Sequence, residues 1–245
     1  MDFGNTRTKI GLFDEQGQLV QRWLAAGPGL EQQVQAVCDE IAPDTLMRVA
    51  WVSVAQRPPV AAWDCWERFE TSPVFHRIDA HYPFPIENRY ATPATLGTDR
   101  IVAVIGALKV ARPPLLVIDA GSAITFDFAD AQGAYLGGGI SPGIAMRFRA
   151  LHTFTARLPL VEPSADAPLV GDSTVDSLLS GVMNGVRAEI SGIVHRYRSA
   201  YGPELKAFLT GGDMIYFENL DKTFNFADSD LVLRGIFHLL NWKSS

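Results

Sequence analysis

One pattern occurs twice in this chain, and it restricts the possible folds more than any other feature of the sequence. The stretches that begin at Asp2 and Asp119, DFGNTRTKIGLFDEQGQL and DAGSAITFDFADAQGAYL, each contain an Asp-x-Gly turn, an apolar β-rich run and a second turn with Gln-Gly. A single Asp-x-Gly is an ordinary hairpin turn, but two copies in register predict a duplicated fold whose turns connect strands. The copies align with a slip of one residue, pairing Asp2 with Asp119, Gly4 with Gly121, Asn5 with Ser122, Asp14 with Asp130, Gln16 with Gln132 and Gly17 with Gly133.

The residue types at these turns suit a nucleotide phosphate. Glycine lets the backbone approach a ligand closely, because it has no Cβ. Backbone amides and the hydroxyls of Thr6 and Ser122 can donate to phosphate oxygens, and the carboxylates of Asp2 and Asp119 can bind a cation. We therefore expect each copy to hold one side of a nucleotide, in a cleft between the two halves.

The composition predicts a protein with its own hydrophobic core and argues against nucleic acid as a partner. A chain of 245 residues with 47% hydrophobic content can form one large or two modest domains. Its net charge is -6 and its basic residues are scattered, whereas nucleic-acid-binding proteins carry clustered Lys and Arg. We expect no nucleic-acid partner, while small polar or anionic ligands remain possible.

Cysteine usage and hydropathy predict a cytoplasmic protein. Cys38 and Cys65 lie in helix-like segments without CxxC or zinc spacing, so we expect reduced core thiols. There is no signal-peptide core and no apolar run near the ~18 residues that a membrane span requires. These features predict a soluble protein with no membrane partner.

Strands and helices alternate in the first part of the chain, which predicts an α/β fold. Residues 80–96, rich in Pro, Asn and Thr, are expected to form a long loop over the surface or a cleft. Only Met1 precedes Asp2, so either the recorded start lies downstream of the true one or the sheet tolerates a very short first strand. The predicted elements are a helix through Leu30, Val34, Val37 and Ile41 that Pro43 closes, a strand over residues 49–54, a helix over 58–69 and a strand over 75–78.

An apolar helix over residues 101–110 and the pair Pro113 and Pro114 divide the chain into predicted halves of residues 1–112 and 113–245. The second half opens with a buried strand over residues 115–118. A later helix over residues 174–197 has an apolar face long enough to pack on a partner copy as well as on its own sheet, which favours a homodimer. That face consists of Leu178, Val182, Val186, Ile190 and Ile193.

Six motifs follow one another along the chain: DFGNTRTK (residues 2–9), GTDR (97–100), DAGSAIT (119–125), GGGISPG (137–143), GDST (171–174) and LTGGD (209–213). Their order and spacing resemble those of the type III pantothenate kinases, members of the actin-like, Hsp70-like and sugar-kinase superfamily. The resemblance covers essentially the whole chain. The sequence has no GxxxxGK[ST] loop, no nucleophile elbow and no histidine pair at metal spacing, which excludes the P-loop route to kinase chemistry.

The resemblance implies a duplicated actin-like (ribonuclease H-like) fold: two mixed-sheet halves with helices on the faces and an interdomain nucleotide cleft. It also implies a pantothenate kinase that transfers the γ-phosphoryl group of ATP to the primary hydroxyl of pantothenate, the first step of coenzyme A synthesis. Without it, the residues support only an ATP-dependent small-molecule kinase. The alternatives are a sugar or acyl kinase of the same superfamily, or a regulatory relative without catalysis, although Asp2, Asp99 and Asp119 argue against a pure binding module.

Phosphoryl transfer to an alcohol needs a carboxylate that accepts the hydroxyl proton. By resemblance that residue is Asp99, and Tyr90, Gly97, Thr98 and Arg100 contact pantothenate around it. From the sequence alone, Asp99 could equally be the N-cap of the helix that follows, and Arg100 could form a surface salt bridge of little worth.

The resemblance also implies that Thr174 reaches pantothenate bound in the neighbouring subunit, so that the sites lie near the interface of a homodimer. From the sequence alone, Thr174 is simply a good helix N-cap. Gly211 and Gly212 fit a turn near the nucleotide, though a plain helix start would look the same.

By resemblance Asp119 carries a monovalent cation, K⁺ or NH₄⁺, and Ser122 contacts ATP where the family usually has Thr. Asp2 would organise the Mg²⁺-phosphate complex through water. Lys9 could equally be an exposed strand lysine. The residues implied to bind ATP at the first turn are Asp2, Phe3, Gly4, Asn5, Thr6, Arg7, Thr8 and Lys9.

Overall fold

The computed structural model describes residues 1–4, 7–26, 30–41, 48–53, 74–220 and 223–242. The strands are β1 (Asp2–Phe3), β2 (Arg7–Phe13), β3 (Leu19–Ala26), β4 (Arg48–Ser53), β5 (Val74–Ile78), β6 (Leu115–Ala120), β7 (Ala123–Ala129), β8 (Tyr135–Pro142), β9 (Lys206–Thr210) and β10 (Phe226–Ala227). The helices are α1 (Leu30–Glu40), α2 (Thr98–Leu108), α3 (Ile144–Thr153), α4 (Thr174–Leu179), α5 (Gly185–Tyr201) and α6 (Leu231–Trp242), with a π-turn at Ser180–Asn184 and 3₁₀ turns at Pro93–Thr95 and Met214–Leu220.

Both sheets are mixed and have the same strand order. The first runs β3-β2-β1-β4-β5, and the second, read from the corresponding edge, runs β8-β7-β6-β9-β10. In each sheet three strands form an antiparallel meander and two further strands join in parallel. The parallel strands are each reached through a segment of ten or more residues, as parallel pairing requires. The duplicated α/β architecture predicted from the repeated turns is thereby confirmed.

The Gln-Gly turns of the two copies have the same hydrogen bonds. Gly17 N donates to Asp14 O at 3.1 Å, and Gly133 N donates to Asp130 O at 2.9 Å. In each turn the Oδ1 of that aspartate also accepts from the amide four residues further on, at 2.8 and 3.0 Å. An aspartate that caps its own turn in this way explains why both copies keep Asp at this place.

The one-residue slip between the copies lies in the Asp-x-Gly turn. In the first copy Gly4 N donates to Arg7 O, and in the second Gly121 N donates to Ala123 O, both at 3.1 Å, so the first turn is one residue longer. The strands that lead into the turns also differ, since β1 has two residues and β6 has six.

The chain forms two compact units, residues 1–106 with 230–245, and residues 107–229; we call them unit 1 and unit 2. They differ from the predicted halves mainly in one element, because α6 belongs to unit 1. Its Phe237 ring stacks on Phe13 of β2 with centroids 5.0 Å apart. The guanidinium of Arg48 in β4 donates to Asn241 Oδ1 at 2.6 Å. An apolar helix packs against an apolar face of a sheet, and α6 packs against a face of the first sheet.

The core of unit 2 lies between its sheet and the helical stretch from α4 to α5. Leu178, Val182, Val186 and Ile190 are all buried in this core, at 7% exposure or less. These four residues pack within their own unit, as the sequence predicted, and Ile193 of the same face is partly buried against that core. Among the described helices, none is long and apolar enough to span a membrane.

The state of the Cys38 sulfur differs from the predicted reduced thiol. It is buried in α1 and disulfide-bonded, so the expectation of a reduced thiol is wrong for this residue. Several other predictions lie outside the described residues: those for Asn5, Thr6, Pro43, Val54 and Cys65, and the helix over residues 58–69.

Candidate active site

Asp119 lies at the carboxyl end of the central strand β6, where the chain turns into β7. Its partners on the neighbouring strands are Thr125 on β7 and Thr210 on β9. Directly paired residues project from the same face of a sheet, so the partly exposed Asp119 carboxylate has a hydroxyl-bearing neighbour on either side. These side chains offer only oxygen donors, which suit hard cations. Ser122 lies in the turn and is exposed.

Two other motifs pack directly against this turn. A Cβ on Gly143, at the end of GGGISPG, would lie 2.4 Å from Ser122 O and 2.5 Å from Gly121 O. A Cβ on Gly211, in LTGGD, would lie 2.3 Å from Ala120 O, and the φ angle of Gly211 is +103°. Only glycine permits contacts this close. Asp213 N also donates to Ala120 O at 2.9 Å, so DAGSAIT, GGGISPG and LTGGD meet at one turn of unit 2.

The first copy of the turn places Asp2 directly across from Lys9 in the β1-β2 pair. Burial raises the pKa of the Asp2 carboxyl above its ordinary value, and the positive charges of Lys9 and of the chain's amino group oppose this shift. Lys9 is half-buried and faces Asp2, which differs from the alternative of an exposed strand lysine. Phe3 and Thr8 are buried at 4% exposure each, so these two residues can offer a ligand only backbone groups.

Asp99 is not the N-cap of α2. The helix begins at Thr98, which puts Asp99 in its first turn, and Arg100 N donates to Gly97 O at 3.1 Å. A Cβ on Gly97 would lie 2.8 Å from Asp99 Oδ1, so the glycine leaves room for the carboxylate above the helix start. A carboxylate is favoured there by the helix dipole.

Arg100 and Tyr90 come together in unit 1. The Arg100 side chain is 7% exposed, which differs from the surface salt bridge that the sequence left open. Its guanidinium carbon lies 5.9 Å from the centroid of the Tyr90 ring, within range of a cation-π contact. Tyr90 thus links the irregular segment before α2 to the GTDR motif.

Thr174 lies at the exposed start of α4 and does not cap it. The cap is Ser173, whose Oγ accepts from Asp176 N at 3.1 Å and donates to Asp176 Oδ2 at 2.6 Å. The Thr174 hydroxyl is therefore not needed to begin the helix.

Sequence reasoning missed the buried carboxylate of Asp127. Asp127 in β7 is 1% exposed, and its carboxylate accepts from Tyr135 Oη and from Thr125 Oγ1, both at 2.8 Å. The signal was available, because Asp127 interrupts an apolar strand of the second copy and β-strands are depleted in Asp.

Comparison with known proteins gives a consistent picture. A sequence model of the family described as type III pantothenate kinase matches residues 1–196. The chain is 37% identical over 250 residues to a Bacteroides fragilis protein named type III pantothenate kinase, with 100% of this chain and 97% of that protein covered.

Solved structures with low sequence identity share the fold. A Campylobacter jejuni protein named as a candidate Baf family transcriptional activator has a TM-score of 0.61 at 22% identity, and the match covers 99% of this chain and 97% of that one. A Sinorhizobium meliloti protein named as a candidate 2-dehydro-3-deoxygalactonokinase has a TM-score of 0.56 at 12% identity, with the same coverage. These neighbours confirm the predicted actin-like and sugar-kinase fold class.

Proposed function

Because the chain belongs to the type III pantothenate kinase family, we propose how its residues carry out the reaction of that family. The protein is a kinase that phosphorylates pantothenate with ATP to give 4′-phosphopantothenate, the first step of coenzyme A biosynthesis. The proposal includes a cytoplasmic location, on the ground of this metabolic role and not of cysteine chemistry, since Cys38 is disulfide-bonded.

Asp99 acts as the general base. It accepts the proton of the pantothenate primary hydroxyl while the hydroxyl oxygen attacks the γ-phosphorus and ADP leaves. The observation that carries this assignment is the Asp99 carboxylate in the first turn of α2, above Gly97 and next to Arg100 in the chain.

Arg100 and Tyr90 orient pantothenate. A buried guanidinium binds a substrate carboxylate or hydroxyl more strongly than an exposed one, because less water competes for it. The contact with the Tyr90 ring limits the conformations of the Arg100 side chain. Gly97 and Thr98, on the same turn, contribute through their backbone.

The two Asp-x-Gly turns bind ATP. At the turn of unit 2, the Ser122 hydroxyl donates to ATP and Asp119 carries K⁺ or NH₄⁺, whose positive charge offsets phosphate charge. At the turn of unit 1, Asp2 would hold Mg²⁺ through water, and the backbone between Phe3 and Lys9 would donate to phosphate oxygens. The oxygen-only side chains beside Asp119 support the cation assignment.

The active protein is a homodimer to whose sites Thr174 contributes from the neighbouring subunit. Unit 2 exposes apolar side chains that a monomer would leave in water, although the apolar face of the long helix is buried within the unit. We infer that the dimer interface covers some of these side chains. They include Ile140, Met146, Phe154, Leu160, Leu169, Val170 and Val175.

The function is tested by ADP release from MgATP with and without pantothenate, in K⁺ and in Na⁺ buffers. We expect release that depends on pantothenate and is faster in K⁺. Release with a sugar but not with pantothenate would favour another kinase of the superfamily, and no release with any acceptor would favour a regulatory relative. Equal rates in the two buffers would contradict the role of Asp119.

Subunit exchange tests the shared site. Asp99→Asn and Thr174→Tyr homodimers are each expected to be inactive. After mixing, one site of each mixed dimer carries both defects and the other is wild type, so with half the dimers mixed the activity should recover to about a quarter of wild type. No recovery despite exchange would place Thr174 outside the neighbouring subunit's site.

A further inference from the structure

Asp127 is an unusual residue for its place in the fold. It lies in β7, which is paired on both sides, and its side chain is almost fully buried. A buried carboxylate loses hydration that hydroxyl donors only partly replace, and an apolar side chain at such a position often gives a more stable protein. The carboxylate is nevertheless held on both oxygens, by Tyr135 Oη and by Thr125 Oγ1. This arrangement suggests a role beyond packing.

Thr125 connects Asp127 to Asp119. It is paired directly with Asp119 across β6 and β7, and it lies two residues before Asp127, so all three side chains are on one face of the sheet. A hydroxyl has a single proton, and that of Thr125 is donated to Asp127 at 2.8 Å. Toward any other neighbour the Thr125 oxygen can therefore act only as an acceptor.

The first copy of the turn supplies an independent comparison. Asp2 is paired with Lys9 in the same way that Asp119 is paired with Thr125. In unit 1 the residue paired with the aspartate is the positively charged Lys9. In unit 2 it is Thr125, whose hydroxyl proton is donated to a second carboxylate, that of Asp127. Two carboxylates on one face attract a positive charge, and this charge can come from a bound cation.

We propose that Asp127 is a positioning residue for a monovalent cation at Asp119, acting through Thr125. By accepting the Thr125 proton, Asp127 keeps the Thr125 oxygen available to the cation and prevents that proton from occupying the Asp119 carboxylate. An amide at position 127 can donate to Thr125 instead, which releases the proton toward Asp119. The inference rests on the proposed assignment of the cation to Asp119.

The experiment measures K⁺ binding without turnover. The thermal unfolding midpoint of the full chain is followed with saturating MgADP and pantothenate while KCl replaces choline chloride at constant ionic strength. Outer contacts of a metal site typically change affinity by about 10- to 100-fold. We expect Asp127→Asn and Thr125→Val each to raise the half-saturating K⁺ concentration by that factor, and the double variant to add little because both act on one hydrogen bond.

Tyr135→Phe is the matched control, because it removes the other hydrogen bond of Asp127 and leaves the bond from Thr125. It should lower the midpoint at every K⁺ concentration and leave half-saturation within about 3-fold of wild type. An equal loss of K⁺ affinity in Tyr135→Phe and Asp127→Asn would overturn the inference, since it would mean a merely structural role. If Asp127→Asn does not fold, Thr125→Val still tests the inference, because half-saturation at the wild-type K⁺ concentration in that variant overturns it.

The variant Asp119→Asn distinguishes a failure of the proposed role of Asp127 from a failure of the cation assignment at Asp119. A response to K⁺ that Asp119→Asn abolishes, but that Asp127→Asn and Thr125→Val leave unchanged, overturns the role of Asp127 alone. A wild-type protein that phosphorylates pantothenate without any response to K⁺ overturns both assignments and leaves the kinase reaction intact.

Discussion

The contact between Gly211 and Ala120 leads to a prediction whose size can be worked out. In Gly211→Ala the new Cβ would lie 2.3 Å from Ala120 O, against 3.4–4 Å for an ordinary contact, so one of the two backbones must move by about 1 Å. A side chain at a φ angle of this kind costs about 1–3 kcal/mol, and the overlap costs about 1–3 kcal/mol more. A displacement of about 1 Å at a reacting site can reduce kcat/KM roughly 10²-fold.

Gly202→Ala is the matched control. Gly202 has nearly the same φ, +101°, but nothing lies within 4 Å of its Cβ position. It should therefore show the conformational cost without the overlap and keep the kinetics of the wild type. Urea unfolding followed by circular dichroism gives the two free energies, and ADP release at varied MgATP gives the kinetics. If the two variants agree in both measurements, the LTGGD motif does not set the position of the Asp119 turn.

Three further predictions concern single side chains. Asp99→Asn should lower kcat by roughly 10²- to 10⁴-fold and change the KM for pantothenate far less, and turnover within a few-fold of wild type would move the base elsewhere. Ser122→Thr should preserve or improve the apparent ATP affinity, because the exposed position has room for a methyl group; a large loss would show a pocket built around serine. The raised pKa of Asp2 means that the folded protein binds this proton more tightly than the unfolded chain, so its contribution to stability is lost as pH rises through the folded pKa. Asp2→Asn should accordingly raise the free energy of unfolding at pH 7, by an amount that shrinks as pH falls below that pKa, and pH-independent stabilisation would contradict the assignment.

The repeated turns were predictable because their chemistry is local. Glycine and aspartate at a tight turn are selected by backbone geometry and by hydrogen bonds to neighbouring amides, so Asp14 and Asp130 carry the same signal in both copies. The apolar run of β6 likewise indicated a strand buried on both faces. Element order and sheet type follow from such local signals.

The features that sequence reasoning missed depend on distant contacts. The residues around Gly143 and Gly211 do not indicate that both glycines contact the turn between β6 and β7. Those contacts arise only because β9 pairs with β6 and β8 pairs with β7 in one sheet. The choice of Ser173 over Thr174 as the cap is different, because it depends on local contacts with Asp176 three residues further on, and Ser is also the better cap by propensity. The sequence predicted that the apolar face of the long helix packs on its own sheet, and it does. The further prediction of a partner copy on that face rests on the same residues, because burial against a sheet and against another subunit require the same pattern.

The return of α6 to unit 1 has a consequence for biosynthesis. Residues 107–229 form a continuous segment inserted within unit 1. During translation, all of unit 2 is therefore synthesised before α6 leaves the ribosome. Until then, the face of the first sheet that α6 covers in the folded protein remains exposed. Domains generally fold as their chain emerges. The turn that holds Asp119 is thus formed early, and the environment of Asp2 and Asp99 is finished last. We therefore expect loss of α6 to lower kinase activity, although none of the proposed site residues lies in this helix.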